Sequence, residues 1–91
     1  MSLSNVKIIV SGLVQGVSFR YFTYRTANSL GITGYVRNLP TGQVEIIASA
    51  EKGLIDELID AVRVGPSYAS VSGVQVEEIP MAETYQKFDI R

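Results

Sequence analysis

The 91 residues predict an α+β sandwich, a β-α-β-β-α-β succession closed by a short extra strand, and three observations carry that expectation. Two segments repeat apolar residues at three- and four-residue spacing, as helices with one buried face do. Other segments alternate apolar with polar residues, as half-buried strands do. Glycine and proline fall between these segments, at Gly31, at Pro40-Thr41-Gly42 and at Gly65-Pro66, where turns and helix ends need them.

In chain order, Val6 to Ser11 sets Val6, Ile8 and Val10 against Lys7, Ile9 and Ser11, which gives a strand with one more apolar face. From Phe19 to Leu30, the residues Phe19, Thr23, Ala27 and Leu30 share one helical face, and Gly31 is placed to end the helix in a left-handed cap. Gly34 to Leu39 and Gln43 to Ser49 read as strands joined by Pro40-Thr41-Gly42 into a β-hairpin. Leu54, Ile55, Leu58, Ile59 and Val62 mark a second amphipathic helix that Gly65-Pro66 stops. Val71 to Glu78, with Val74 and Val76 on one face, and Tyr85 to Ile90, with Phe88 and Ile90 on one face, are the closing strands. Two helices with single apolar faces bury them most simply together, on one side of an antiparallel sheet; this is the ferredoxin-like sandwich. That arrangement hosts unrelated functions, so function has to be argued from a site.

Composition narrows the classes. A chain of this length is expected to form a single domain over residues 1–91, and 46% hydrophobic residues suffice for a core. The net charge of −1 argues against a general nucleic-acid or anionic-membrane binder, which needs a basic field, so anion recognition has to be local. With neither cysteine nor histidine there is no disulfide, no thiolate chemistry and no common zinc ligand, and no cofactor is expected. The longest apolar run, Ile8-Ile9-Val10, is far too short for a membrane span or a signal peptide, which makes a cytoplasmic address the expectation, and a monomer is the default expectation.

The stretch Gly12-Leu13-Val14-Gln15-Gly16-Val17-Ser18-Phe19-Arg20 joins a strand end, a glycine-bracketed loop and an arginine at a helix start. Consecutive backbone N–H groups in such a loop, followed by the free N–H groups of a first helical turn, converge on one spot and suit an anion. Arg20 adds a planar fork that holds two phosphate oxygens at once. On the residues alone an alternative stands beside this one: the glycines merely permit a sharp connection and Arg20 is a solvated charge. The spacing does not fit a nucleotide-triphosphate loop, because the glycines are too close and no Lys-Ser/Thr follows. Asn38 likewise reads either as a turn residue before Pro40 or as a functional amide. The aromatic residues lack the signature of a base-stacking platform, and Asp56, Glu57 and Asp60 fall on the outer face of the second helix, where solvation accounts for them.

Gly12 to Arg20 resembles the first signature of the acylphosphatase family, G-x-V-Q-G-V-x-F-R, with every fixed position filled and Ser18 at its variable one. Gly34-Tyr35-Val36-Arg37-Asn38, followed by Gly42-Gln43-Val44-Glu45, is similar to the second signature of that family. Ala27, Leu30-Gly31, Gly65-Pro66 and Phe88-Asp89-Ile90-Arg91 extend the likeness over nearly the whole chain, with Thr41 where the family often has aspartate. The resemblance implies metal-independent hydrolysis of small acyl phosphates to carboxylate and inorganic phosphate. It implies that Arg20 and the amides of Gln15, Gly16, Val17, Ser18, Phe19 and Arg20 hold the phosphate, and that Asn38 orients the attacking water. Val17 and Phe19 are expected to anchor the loop to the core. A non-catalytic module that binds acyl or carbamoyl phosphate is the rival reading. The partner expected either way is a small acyl phosphate, with no nucleic acid and no membrane.

Overall fold

The strand that the alternation from Val6 marks continues in both directions beyond those residues. In the computed structural model, which describes residues 3–80 and 84–91, the first strand, β1, runs Leu3–Leu13. It is followed by α1 (Phe19–Ser29), β2 (Thr33–Asn38), β3 (Val44–Glu51), α2 (Lys52–Val64), β4 (Ser70–Glu78) and β5 (Phe88–Ile90). The strands form one sheet of order β4-β1-β3-β2-β5. One face of it buries Val6, Ile8 and Val10 of β1, Val36 of β2, Val44, Ile46 and Ala48 of β3, and Phe88 of β5. Against these pack Phe19, Thr23 and Ala27 of α1 and Ile55, Leu58 and Val62 of α2, the apolar faces that the spacing predicts. The fold is the ferredoxin-like βαββαβ sandwich.

Helix α1 ends as its sequence directs. Gly31 has φ +71°, its N–H donates to Asn28 O at 3.1 Å, and the N–H of Ile32 reaches back to Ala27 O at 2.9 Å. This paired pattern is the Schellman cap, which a glycine at that position makes cheaply. Ile32 is thereby delivered into the core, 1% exposed.

Three expectations need correction. The sheet is mixed rather than antiparallel, because β5 lies parallel to β2 with Gly34 opposite Phe88 and Val36 opposite Ile90. The cause is connectivity: β4 runs antiparallel to β1 on one edge, so a chain that crosses to the other edge and re-enters the sheet must run in the direction of β1 and β2. The last strand is also shorter than Tyr85 to Ile90, since Tyr85 lies outside it with its ring edge-on to Tyr35, centroids 5.9 Å apart. Finally, Gly12 and Leu13 belong to β1, paired with Val71 and Ser70 beyond a register shift after Ser11, so the connecting loop begins at Val14. Val74 packs against the core, whereas Val76, two residues on along the same face, is 42% exposed.

The register fixes what stands at one end of the sheet. Val10 and Asn38 both lie opposite Val44, so the three share the helix-covered face where β1 and β2 finish, and the loop into α1 leaves from the same end.

Candidate functional site

The loop from β1 into α1 reaches its shape through two left-handed residues. Gly16 has φ +75°, and a Cβ built there would meet no protein atom within 4 Å, so the glycine keeps the backbone conformation and leaves the space in front of it open. Ser18 has φ +63° although it carries a side chain, a conformation that costs of order 1–2 kcal/mol and that clusters at functional sites. Val14 and Phe19 are each 1% exposed and Val17 packs on the core, so this strained connection is clamped from below by apolar side chains.

The helix that follows is left uncapped in a telling way. Ser18 stands at its N-cap, but among the described residues its hydroxyl makes no capping bond. The first turn carries Arg20, where an acidic residue would complement the positive end of the helix dipole. Free N–H groups and a guanidinium thus accumulate positive charge at one point, which an anion would relieve. The Arg20 guanidinium is exposed, and its Nη1 donates to the carbonyl oxygen of Arg91 at 3.3 Å. Arg91 is itself held, its N–H donating to Val36 O at 2.8 Å and its guanidinium lying 4.2 Å from the Tyr35 ring centroid.

Asn38, the last residue of β2, completes the cluster. Its Oδ1 is buried and has no hydrogen-bond partner among the described residues. An unsatisfied buried acceptor costs about 1–3 kcal/mol, which sets Asn38 apart from the other buried polar side chains described. Gly16, Ser18, Phe19, Arg20 and Asn38 line one cleft of about 190 Å³, with Val14, Tyr21 and Ile90 as its apolar wall.

Two of the residues expected in the phosphate loop do not line that cleft. Val17 faces the core. Gln15 turns its side chain the other way, and its Nε2 donates to Leu39 O and Gln43 O, both at 2.8 Å. Those carbonyls belong to the turn between β2 and β3, in which Gly42 N–H donates to Leu39 O at 3.1 Å and Leu39 N–H to Gln43 O at 2.9 Å. Gln15 therefore ties the loop before α1 to the hairpin that presents Asn38. The turn is braced further by Thr41, whose Oγ1 donates to Gln43 Oε1 at 2.9 Å, while Gln43 Nε2 donates to Ser11 Oγ at 2.9 Å. The sequence signals neither this tether nor the part of Tyr21, Ile90 and the Arg91 carbonyl, because the partners lie 24 to 71 residues apart along the chain.

Glu45, part of the second motif, stands on the opposite face of the sheet from Asn38. There it accepts from Arg37 Nε at 2.8 Å and from the Tyr35 hydroxyl at 3.3 Å. Burial, then the Glu45 charge, pushes the Tyr35 phenol above its ordinary pKa, and the Glu45 hydrogen bond holds Arg37 more firmly protonated. This group is a structural clamp between β2 and β3. Among the described residues no three His, Cys, Asp or Glu side chains gather as metal ligands, and no helix is long and apolar enough to cross a membrane.

Known proteins share the sequence and the fold of this chain. Residues 6–90 match the family model described as Acylphosphatase. An acylphosphatase of Chlorobaculum tepidum is 47% identical over 90 residues, covering 99% of this chain and 98% of that protein. One from Archaeoglobus fulgidus is 49% identical over 85 residues, covering 93% of this chain and 94% of that protein. The crystal structure of acylphosphatase from Bacillus subtilis superposes with a TM-score of 0.93 at 34% identity over 99% of both chains. The chain belongs to the acylphosphatase family.

Proposed function

We propose that this chain hydrolyses the carboxyl–phosphate bond of small acyl phosphates, with Arg20 and the loop amides as the phosphate holders and Asn38 as the residue that orients water. The observation that carries the reading is the single cleft that Arg20, the uncapped start of α1 and Asn38 line together. The phosphoryl group lies in the cradle of N–H donors from Gly16 to Arg20, with the guanidinium on two of its oxygens. Water donates one hydrogen bond to Asn38 Oδ1, which turns a lone pair towards phosphorus. As the water oxygen–phosphorus bond forms, the phosphorus–acyl oxygen bond breaks and the carboxylate leaves with the electron pair. The proton of the water passes to an oxygen of the same phosphate. A carboxylate is a good leaving group and the transition state is loose, so positioning and charge stabilisation are the protein's main tasks. This fits a chain with no histidine and no cysteine.

The same reading takes the enzyme to be a cytoplasmic monomer acting on a soluble metabolite. Its test is phosphate release from acetyl phosphate by protein treated exhaustively with EDTA. Turnover is expected to survive chelation, not to rise with added magnesium or zinc, and to vary only mildly between about pH 5 and 8, following the ionisation of the substrate. Binding of phosphate without turnover would leave the non-catalytic module. Loss of activity on chelation, restored by a divalent metal, would overturn the mechanism.

A further inference from the structure

The cleft has two chemically distinct parts, and phosphate accounts for one of them. Gly16, Ser18, Phe19 and Arg20 bring the positive start of α1 to it, and Asn38 brings a polar amide. The remaining wall is Val14, Tyr21 and Ile90, which offers an oxyanion no hydrogen bond from its apolar surface. Val14 is buried to 1%, but Tyr21 and Ile90 are 55% and 42% exposed, two large apolar side chains held in water beside a binding cradle. Neither is loosely placed. The Tyr21 ring stacks on Tyr24, centroids 6.2 Å apart at 23°, and the Arg25 guanidinium lies 5.8 Å from its centroid. Ile90 is fixed by β5, in register with Val36, two residues before Asn38 on the same face of β2.

We infer that Tyr21 and Ile90 form the seat of the acyl group and select aromatic and branched acyl phosphates over acetyl phosphate; the inference rests on the hydrolytic reading of this cleft. Once the phosphoryl end is in the cradle, the acyl substituent extends towards the mouth. A flat or branched apolar group there covers two pre-ordered apolar surfaces, whereas a methyl group covers little of either. The surfaces do not have to be organised on binding, so most of the contact appears as selectivity. The bare phosphate ion, lacking an acyl group, is indifferent to them.

The experiment compares benzoyl phosphate with acetyl phosphate in the parent, Tyr21→Ala and Ile90→Ala. The parent is expected to favour benzoyl phosphate in kcat/KM, and each variant to lower the benzoyl-to-acetyl ratio by about tenfold, mainly through KM for benzoyl phosphate. Inhibition by orthophosphate should stay within about twofold of the parent, which a general disturbance of the loop would not allow. Tyr21→Phe keeps the ring and should keep the ratio. Equilibrium binding of the phosphonates phenacylphosphonate and acetonylphosphonate reads the same preference without turnover, so a protein that bound both with the expected ratio but hydrolysed nothing would sink the hydrolytic reading alone. A ratio unmoved by both alanine variants, or one that falls in step with phosphate affinity, overturns the acyl seat.

Discussion

Replacement of Gln15 by methionine isolates the tether between the phosphate loop and the hairpin. Methionine keeps nearly the length and volume of the side chain and removes the Nε2 donor, so two hydrogen bonds of 2.8 Å are lost, to Leu39 O and Gln43 O. Neither carbonyl is orphaned: Leu39 O still accepts from Gly42 N–H at 3.1 Å, and Gln43 O from Leu39 N–H at 2.9 Å. The penalty for a buried unsatisfied acceptor is therefore avoided. The cost is that of two ordinary hydrogen bonds, about 1–2 kcal/mol together, which for a domain of this size corresponds to a Tm lower by roughly 5–15 °C. Activity should fall more than stability alone explains, because the loop that holds phosphate and the strand end that holds Asn38 lose their direct link. The assay is thermal unfolding followed by kcat and KM at a temperature where parent and variant are both folded. A Tm within about 2 °C of the parent, together with unchanged kcat, would refute the tether.

Other perturbations address the remaining parts of the site. Arg20→Lys keeps the charge and loses the fork, so turnover should drop by about a hundredfold and inhibition by inorganic phosphate should weaken with it; a lysine variant that binds phosphate and turns over like the parent would remove Arg20 from the site. Gly16→Ala places a methyl group where no protein atom lies within 4 Å at φ +75°, so the expected cost is the left-handed backbone penalty of about 1–2 kcal/mol plus weaker phosphate binding. An unchanged phosphate Kd would show that this space is not where the oxyanion sits. Tyr35, whose folded pKa is raised by burial and by Glu45, keeps its proton longer folded than unfolded. Its contribution is thus fully present below the unfolded value near 10 and is lost as pH rises from there through the folded value. The urea midpoint of the parent should accordingly fall more between about pH 9 and about pH 11 than that of Tyr35→Phe, and equal falls would contradict the Glu45 clamp.

The legible and illegible parts of the molecule divide along one physical line. Periodicity reads local chemistry, so the buried faces of α1 and α2 and the alternation of β1 were visible in the residues, as was the cap at Gly31. The direction of β5 was not visible, because it depends on which sheet edge the chain reaches after β4. Arg20 and Asn38 stood out by their place in two motifs, yet the residues alone left both open to bland readings. What set them apart in the structure is spatial: β2 and β3 in register carry Asn38 to the end where β1 hands over to α1. Gln15 shows the converse: the glycine loop drew attention to its backbone N–H, and nothing in the loop announced that its side chain ties to the hairpin. No local pattern encodes a partner 28 residues away.

The central claim is that holding phosphate and aiming water are separate tasks of Arg20 and Asn38, and Asn38→Ala tests it most directly when kcat and the dissociation constant of inorganic phosphate are measured on the same preparation. The account predicts a kcat lower by about a hundredfold or more with phosphate affinity nearly intact, because aligning the nucleophile acts in the transition state and not on the bound ground state. An unchanged kcat, or a loss carried wholly by phosphate affinity, would contradict it.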